Sequence, residues 1–420
     1  MTKNLIAITV VIIGLMTAAA LAGCIGRKST ELSKSHEGLQ EGGSEEEIHN
    51  NRSKEVGDKT ELINGNLSID TKKEWTFMFY DDADFSNAYN PLEDFRSRAF
   101  SGENLNVIVL EDQENGPATT WHVDEEHELH SLIEHGEINM GNYTTLRDFV
   151  SFSKLNFPAE RYMLWLYDHG GAWGGACVDD TNGSDSLSMD EMQKALTESG
   201  GIDIICFSAP CLMGCIESAY ELRTCTEIYI GSEELSGYIY WMDLPGSLCT
   251  ILNDEKQMTN MEIGKWIVEE ITKDANDMTY YPLRVLYTMS AIETKKTVDV
   301  AMAINQLSKN LIENIDVLYA SLTTDRLSAE QYFLTQVDII DFVENGYLLC
   351  LLNEHMKNVS EKTKQCIIAE GHGAGHVRSH GLSIYFPPQG IYSATYSNCG
   401  LDFANDTLWD EFLIEYTSLP

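Results

Sequence analysis

From Trp75 onward the sequence alternates short apolar runs with longer amphipathic segments, and this alternation restricts the possible folds more than any other feature. Short apolar runs between polar turns are typical of buried strands, whereas amphipathic segments are typical of helices. Strands that alternate with helices predict an α/β protein with a mostly parallel central sheet flanked by helices. The predicted strands are Trp75–Tyr80, Leu105–Leu110, Thr119–Val123 at an edge, Tyr162–Tyr167, Ile202–Phe207 and Ile228–Ile230, and the predicted helices are Leu146–Leu155, Leu187–Leu196 and Leu212–Leu222.

The second half of the chain has a different pattern. Residues 255–375 are largely helical by periodicity, and a strand at Leu382–Phe386 and a helix near Thr407–Tyr416 close the chain. A length of 420 residues is also more than one compact core usually organises. We therefore predict an α/β domain over residues 74–254 and a largely helical C-terminal subdomain over residues 255–420, which includes the closing strand and helix.

The N-terminus has the pattern of an export signal. Lys3 precedes an apolar run from Leu5 to Ala22, which predicts a signal peptide over residues 1–23. The tetrad Leu21-Ala22-Gly23-Cys24 resembles the lipobox of bacterial and archaeal lipoproteins, in which the cysteine thiol is lipidated. A retained transmembrane anchor is the alternative, because the run is just long enough to span a bilayer. Both interpretations place the rest of the chain outside the cytoplasm, held at the cell membrane.

The polar composition and the net charge of the chain restrict the classes of partner that it can bind. Residues 24–73 are polar and charged, so we expect the lipidated N-terminus to continue as a flexible tether. The whole chain has 28 basic and 66 acidic residues, a net charge of −38. Such a surface repels phosphate backbones, so nucleic acid is excluded as a partner, whereas a membrane is expected through the N-terminal lipid.

Two predicted strands lead into residues whose side chains are chemically reactive. Tyr162–Tyr167 leads into Asp168-His169-Gly170-Gly171, and Ile202–Phe207 leads into Ser208-Ala209-Pro210-Cys211. Sites in open parallel sheets form beyond the carboxyl ends of the strands. The histidine and the cysteine are therefore expected at the same edge of the sheet.

That pairing suits nucleophilic catalysis. A neighbouring imidazole from His169 and a helix that begins at Leu212 would both favour the thiolate of Cys211, which is the reactive form. The backbone N–H groups of Gly170 and Cys211 are the candidate oxyanion hole. The alternative is that Cys211 is a buried small hydrophobe and His169 a turn residue.

Several segments resemble the clostripain family of cysteine peptidases. The histidine motif of that family is similar to Leu164–Trp173, and its cysteine motif is similar to Cys211-Leu212-Met213-Gly214 with Glu217. The resemblance implies a caspase-like fold with the catalytic domain over residues 74–254, a His169–Cys211 dyad and an endopeptidase that hydrolyses peptide bonds in a peptide or protein substrate. Other similar segments, which extend the resemblance over roughly residues 74–416, are Trp75–Tyr80, Gly136–Gly141, Ser232-Glu233-Glu234 and Gly381–Pro387.

The chain departs from the family where the family's pocket receives a P1 Arg or Lys. The family pattern before the nucleophile is Phe-Asp-x-Cys, whereas here Ala209 or, with one residue inserted, Ser208 takes the acidic position. The later Gly-Asp-Gly-Trp-like stretch is replaced by residues 235–241, which contain no acid. A P1 preference for Arg or Lys is therefore not expected. The predicted pocket residues are Ser208, Ala209, Ser232, Glu233 and Tyr238.

Processing is expected to differ as well. Members of this family commonly mature by cutting their own chain after Arg or Lys, between the catalytic histidine and cysteine. Here Lys194 is the only basic residue between His169 and Cys211, and the pattern places it on a helix. We therefore expect a single uncut chain.

No metal or other cofactor is predicted. His372, His376 and His380 recur every four residues, but the glycines around them predict a loop rather than a metal-binding helix face. Asp179-Asp180 with Asp185 is interpreted as a solvated acidic turn, and calcium binding by a loop of these carboxylates is the less favoured alternative.

A second function belongs to another class of protein. An inactive peptidase fold could serve as a surface binding or adhesion lipoprotein. Pro210 motivates this alternative, because a proline directly before Cys211 could misplace the thiol. Covalent labelling of Cys211 by a peptidyl electrophile separates the enzyme from the inactive protein.

Overall fold

The computed structural model describes residues 72–84, 95, 97–207, 209–236, 244–277 and 286–419. The predicted signal peptide, Cys24 and nearly all of the predicted tether lie outside these ranges. So do the predicted pocket residues Ser208 and Tyr238. In the described part of the chain, no helix has the length and apolar character needed to cross a lipid bilayer.

One large sheet organises the fold. The described strands are β1 (Lys73–Ala83), β2 (Leu105–Gln113), β3 (Ala118–Val123), β4 (Leu129–Gly136), β5 (Ala159–Tyr167), β6 (Ala176–Asp179), β7 (Asp185–Leu187), β8 (Ile202–Phe207), β9 (Thr226–Gly231), β10 (Thr288–Glu293), β11 (Gln331–Tyr332), β12 (Gln336–Asp338), β13 (Ile367–His372) and β14 (Ser383–Tyr385). Nine of them form the central sheet, in the order β13-β10-β9-β8-β5-β1-β2-β3-β4. The five central strands β2, β1, β5, β8 and β9 are parallel, whereas the strands at both edges are antiparallel. The predicted mostly parallel sheet is confirmed, although β4 rather than β3 forms the edge.

Helices cover both faces of this sheet. They are α1 (Tyr143–Asn156), α2 (Met189–Glu198), α3 (Ile216–Glu221), α4 (Leu244–Leu252), α5 (Asn260–Asp277), α6 (Thr297–Glu313), α7 (Ile315–Ser328), α8 (Ile339–Asn345), α9 (Leu348–Leu351), α10 (Asn353–Cys366), α11 (Asp402–Asp406) and α12 (Trp409–Ser418). Side chains alternate between the two faces of a strand, so each strand contributes to two cores. Phe77 and Phe79 of β1 belong to one core with Ile267 of α5, whereas Met78 and Tyr80 belong to the other with α1 and α6.

Local sequence explains where two of these helices begin. The Asn142 side chain accepts a hydrogen bond from the Thr144 N–H at 2.9 Å and so caps α1. Ser188 and Glu191 form a capping box at the start of α2, and Asp190 and Glu191 place negative charge in its first turn. The predicted helices at these positions are therefore present, within a few residues of their expected bounds.

The predicted boundary after residue 254 falls inside one continuous sheet. The C-terminal half supplies two strands of the central sheet, because β10 pairs with β9 and β13 pairs with β10. It also forms a separate sheet of β11, β12 and β14. The helices predicted there are present, but short strands between long helices gave too weak a periodicity to be recognised.

Candidate active site

The structure brings the two strand ends together as expected. β5 and β8 are adjacent and parallel, with Leu166 paired with Phe207. His169 lies just beyond β5, and Cys211 lies in the turn that follows β8. Adjacent parallel strands deliver their following loops to one edge of the sheet, where the sites of such folds form.

The backbones of Gly170 and Cys211 are in direct contact. A Cβ atom on Gly170 would lie 2.6 Å from the Cys211 nitrogen and 2.4 Å from its carbonyl oxygen, so only glycine fits. Neither the Gly170 N–H nor the Cys211 N–H donates a hydrogen bond to any residue that the structure describes. Two neighbouring amide donors at the candidate nucleophile are what an oxyanion hole requires.

The helix expected directly after Cys211 is not there, so that prediction was wrong. Leu212 has a left-handed φ of 63°, and α3 begins only at Ile216. The physical reason is a competing pairing of backbone groups. The Leu212 N–H donates to the Glu234 carbonyl at 3.2 Å, and the Gly214 N–H donates to the Ser232 carbonyl at 2.7 Å. The thiol therefore lacks the helix N-terminus that would have favoured its ionised form.

Instead, the segment that follows β9 lies against the thiol. The Ser236 N–H donates to the Cys211 Sγ at 3.3 Å, and the thiol lies 3.7 Å from the Ser236 carbonyl oxygen. Nothing in the sequence indicated this contact, because the two residues are joined only through the long-range pairing of residues 212–214 with 232–234.

The site holds its two titratable groups in their neutral forms. Burial raises the pKa of the Cys211 thiol to about 12, and Glu234 and Asp168 raise it further against the opposing hydrogen bond from Ser236. Burial lowers the pKa of His169, and Asp180 opposes that shift. At neutral pH the site therefore contains a protonated thiol and a neutral imidazole, which is a base that can accept a proton.

Strained backbone surrounds the site. Asp168, which precedes His169, has a φ of 149°, and Ala172 has a φ of 55°. Ala172 and Leu212 also belong to the small buried cluster against which Cys211 packs. Left-handed backbone at non-glycine residues is costly and persists where the surrounding structure demands it, which is commonly at functional sites.

The predicted pocket residues have unequal access to a substrate. Ala209 is 9 % exposed and contributes a methyl group to the core on one face of the sheet. The Ser232 hydroxyl donates to the Glu234 carbonyl at 2.9 Å and is buried. Glu233 is 1 % exposed, and its carboxylate accepts hydrogen bonds from the Ser379 hydroxyl and the Gly381 N–H. The structure therefore assigns the Glu233 side chain to the interior, which corrects its predicted place in the pocket.

Sequence reasoning missed a group of buried carboxyl groups beside the site. They lie at the carboxyl ends of β1, β2 and β5 and in β6, and all are 5 % exposed or less. Burial and mutual repulsion raise the pKa of Asp112 to about 8 and that of Asp84 to about 6. An acidic run directly after a buried strand was the available signal. The group consists of Asp81, Asp82, Asp84, Asp112, Asp168 and Asp179.

These carboxyl groups predict a protein that is more stable in mild acid. A raised pKa means that the folded state binds the proton more tightly than the unfolded state, so the stabilisation is present below about pH 4 and is lost as pH rises through about 6 and 8. We expect Tm to be higher at pH 5.5 than at pH 8.5. In Asp112→Asn this difference should shrink, whereas in the exposed matched control Asp254→Asn it should persist. A Tm that rises with pH would contradict this prediction.

The other candidate metal ligands have protein partners. Among the described residues, no three His, Cys, Asp or Glu side chains are arranged to hold a metal ion. His376 and His380 lie in a loop, as predicted, and contact Glu330 and Asp338, whereas His372 was wrongly predicted in the loop, because it ends β13. The Asp179 carboxylate accepts the Met140 N–H at 2.8 Å. Calcium binding by the Asp179-Asp180 loop stays the less favoured alternative, for which activity in the presence of a chelator is the test.

Comparison with known proteins agrees with this architecture. Residues 76–416 match the clostripain family. Clostripain of Hathewaya histolytica is 28% identical over 213 residues, which are 41% of this chain and 40% of clostripain, so the chain matches less than half the length of that relative.

Two solved structures share the fold. A secreted C11 cysteine protease from Bacteroides thetaiotaomicron, in complex with an irreversible peptide inhibitor, has a TM-score of 0.61 at 15% identity and covers 80% of this chain and 100% of its own. An inactive zymogen of a C11 protease from Parabacteroides distasonis has a TM-score of 0.58 at 18% identity, with coverage of 80% and 99%. The expected caspase-like α/β architecture is confirmed. Because the family match extends over most of the sequence, this chain belongs to the clostripain family.

Proposed function

We propose that this chain is a cysteine endopeptidase in which Cys211 is the nucleophile and His169 the general base. The observation that carries the proposal is the contact between the Gly170 and Cys211 backbones, which gathers two amide donors at a half-buried thiol. The loop that bears the imidazole comes from the neighbouring strand. Membership of the clostripain family supports the same chemistry.

The reaction begins from neutral groups. His169 takes the thiol proton while the Cys211 sulfur attacks the carbonyl carbon of the scissile peptide bond, and the carbonyl electrons move to the oxygen. The N–H groups of Gly170 and Cys211 donate to that oxyanion. The C–N bond then breaks, and the leaving amine takes the proton from His169. A water molecule, deprotonated by His169, finally hydrolyses the thioester, which releases the acid and restores the thiol.

Active-site labelling tests this proposal. A peptidyl chloromethyl ketone or acyloxymethyl ketone should label the wild-type chain once, at Cys211, and Cys211→Ala should not be labelled. The exposed Cys350 provides the matched control, because Cys350→Ala should be labelled like the wild type. Absence of labelling by any peptidyl electrophile, with a folded protein, would favour the inactive binding lipoprotein instead.

We propose further that the enzyme does not prefer a basic P1 residue. Selective binding of a guanidinium or ammonium group needs a carboxylate at the pocket base, because desolvation of an unpaired cation costs several kcal/mol. The position that carries the acid in the family pattern is taken here by Ala209, which is buried, or, with one residue inserted, by Ser208 in the sequence. The nearby Glu234 carboxylate accepts the Leu235 N–H at 2.7 Å and lies 3.6 Å from His376.

A fluorogenic peptide panel should therefore show turnover of substrates with small, polar or apolar P1 residues in preference to Arg or Lys. The purified enzyme should also run as one chain on a denaturing gel. Lys194 is in α2 and its ammonium lies 3.8 Å above the Tyr143 ring, where a helix shields the bond from cleavage. Strong Arg preference, or two chains cut between His169 and Cys211, would contradict this prediction.

We propose that the enzyme is lipid-anchored outside the cytoplasm through Cys24. The support is the sequence pattern that ends at Cys24 and the polar stretch before β1. Mass spectrometry of the mature protein should find a lipidated Cys24 at the N-terminus, and Cys24→Ser should release the protein from the membrane fraction. A mature chain that starts elsewhere, or an unmodified Cys24 thiol, would contradict the prediction.

A further inference from the structure

The hairpin that joins β11 to β12 lies beside the candidate nucleophile. Phe333, at its tip, is half-buried and packs against the same small cluster as Cys211, which consists of Ala172, Leu212, Cys215 and Tyr332. The next residue, Leu334, is 71 % exposed. Two large apolar side chains therefore stand at the rim of the site, one packed against its wall and one open to solvent.

The backbone of this tip is strained. Phe333 and Leu334 both have left-handed φ values, of 42° and 67°. An aromatic residue and a leucine rarely adopt this conformation, and here they adopt it in succession. Asparagine or glycine would fulfil a purely structural turn at lower cost, so the chain retains large apolar side chains where local geometry disfavours them.

Hydrogen bonds from the protein interior fix the position of the strained tip. The Arg326 guanidinium is 2 % exposed, and it donates to the Leu334 carbonyl, to the Phe386 carbonyl at 3.0 Å and to the Gln331 side chain at 2.7 Å. The Thr335 N–H donates to the Phe333 carbonyl at 2.9 Å. An exposed leucine by itself is ordinary on a protein surface, but an exposed leucine on an anchored and strained tip is not.

Glu234 connects this tip to the residue after the nucleophile. The Phe333 N–H lies close enough to its carboxylate to lower the pKa of that group against the effect of burial, and its main-chain carbonyl accepts a hydrogen bond from the Leu212 N–H at 3.2 Å. The position of the hairpin is therefore fixed relative to Cys211 through one residue. Groups that are held rigidly beside a reactive atom are suited to select what binds there.

Other apolar side chains share the cluster at the tip. Leu235 and Trp173 pack against the same cluster as Phe333, and the Glu234 carboxylate is already engaged. We propose that Phe333 and Leu334 form one wall of a substrate subsite beside Cys211, which takes a large aliphatic or aromatic side chain next to the scissile bond. This inference rests on the proposed peptidase function and adds the substrate class to it.

Leu334→Asn is the informative variant, because asparagine tolerates the left-handed backbone while removing the apolar side chain. With peptides that carry Leu or Phe at the selected position, we expect kcat/KM to fall about 10-fold or more, chiefly through KM, since a hydrophobic subsite contact discriminates by this order. With Ala at that position, kcat/KM should change less than about twofold. Tm should not decrease.

The exposed Leu351 on α9 provides the matched control, and Leu351→Asn should leave the substrate profile unchanged. Two results would overturn the inference while leaving the peptidase intact: a wild-type enzyme without preference for large apolar residues, or an equal fall for every peptide in Leu334→Asn. Loss of turnover and of Cys211 labelling in the wild type would instead refute the proposed function, so the two failures are distinguishable.

Discussion

Replacing Cys211 with alanine is expected to lower kcat by at least about 10³-fold while leaving the fold intact. The reason is that Cys211 is the cysteine whose backbone contacts Gly170 at this edge of the sheet. Cys206 and Cys215, its nearest cysteines in sequence, are fully buried, whereas Cys211 is half-buried and open to a substrate on one side. Initial-rate kinetics with a turned-over fluorogenic peptide, together with Tm, measure both parts.

His169→Ala should have an effect of similar size, because the neutral thiol of Cys211 needs a base to lose its proton. The two losses should not add in the double variant, since the groups act as a unit. Cys350→Ala and His130→Ala change exposed residues of the same types and should keep normal turnover. Near-normal activity in Cys211→Ala would exclude the dyad.

Glu217→Leu is expected to be the most damaging single change to stability near the site. Glu217 is fully buried in α3, and its carboxyl group accepts hydrogen bonds from the Tyr385 N–H at 2.8 Å and the Tyr396 hydroxyl at 3.1 Å. Leucine has a similar volume but leaves both donors unsatisfied. Each buried unsatisfied group costs roughly 1–3 kcal/mol, so we expect a loss of about 3 kcal/mol and a decrease of roughly 6–12 °C in Tm.

The matched control is Glu217→Gln, which keeps an oxygen acceptor and should cost about 1 kcal/mol or less. Burial raises the pKa of Glu217 to about 7, so at pH 6 the native group is largely protonated and glutamine imitates it closely. Calorimetry of both variants at pH 6 gives the comparison. Equal stability of the leucine and glutamine variants would show that the two hydrogen bonds contribute little.

Much of the fold was predictable because its signals are local. A buried strand needs only an apolar run, and the start of α2 needs only Ser188 and Glu191 in sequence. Parallel strands that follow one another in sequence usually lie side by side in the sheet, so the adjacency of β5 and β8 was predictable. That adjacency correctly predicted that His169 and Cys211 lie at the same edge of the sheet. The resemblance to a family supplied the identity of the chemistry.

The sequence did not predict the features that depend on distant residues. The sequence pattern predicted that a helix begins at Leu212, yet the Leu212 N–H donates to the Glu234 carbonyl and its backbone is left-handed. Glu233 was predicted to line the pocket. Its carboxylate is instead buried, because it accepts hydrogen bonds from Ser379 and Gly381, which lie almost 150 residues away in sequence. Periodicity records which face of an element is apolar, but not which remote segment will hydrogen-bond to it.

By itself, the sequence determined the alternation of strands and helices, the caps of α1 and α2, and the two loops that carry His169 and Cys211. Only the tertiary structure decided the ionisation of Cys211, the contact of its thiol with Ser236, and the anchored tip at Phe333 and Leu334. The physical reason is how far apart in sequence the interacting residues lie. Backbone preference and amphipathicity are fixed by neighbours in sequence, whereas burial, pKa and the shape of a binding wall arise from residues that meet only when the chain has folded.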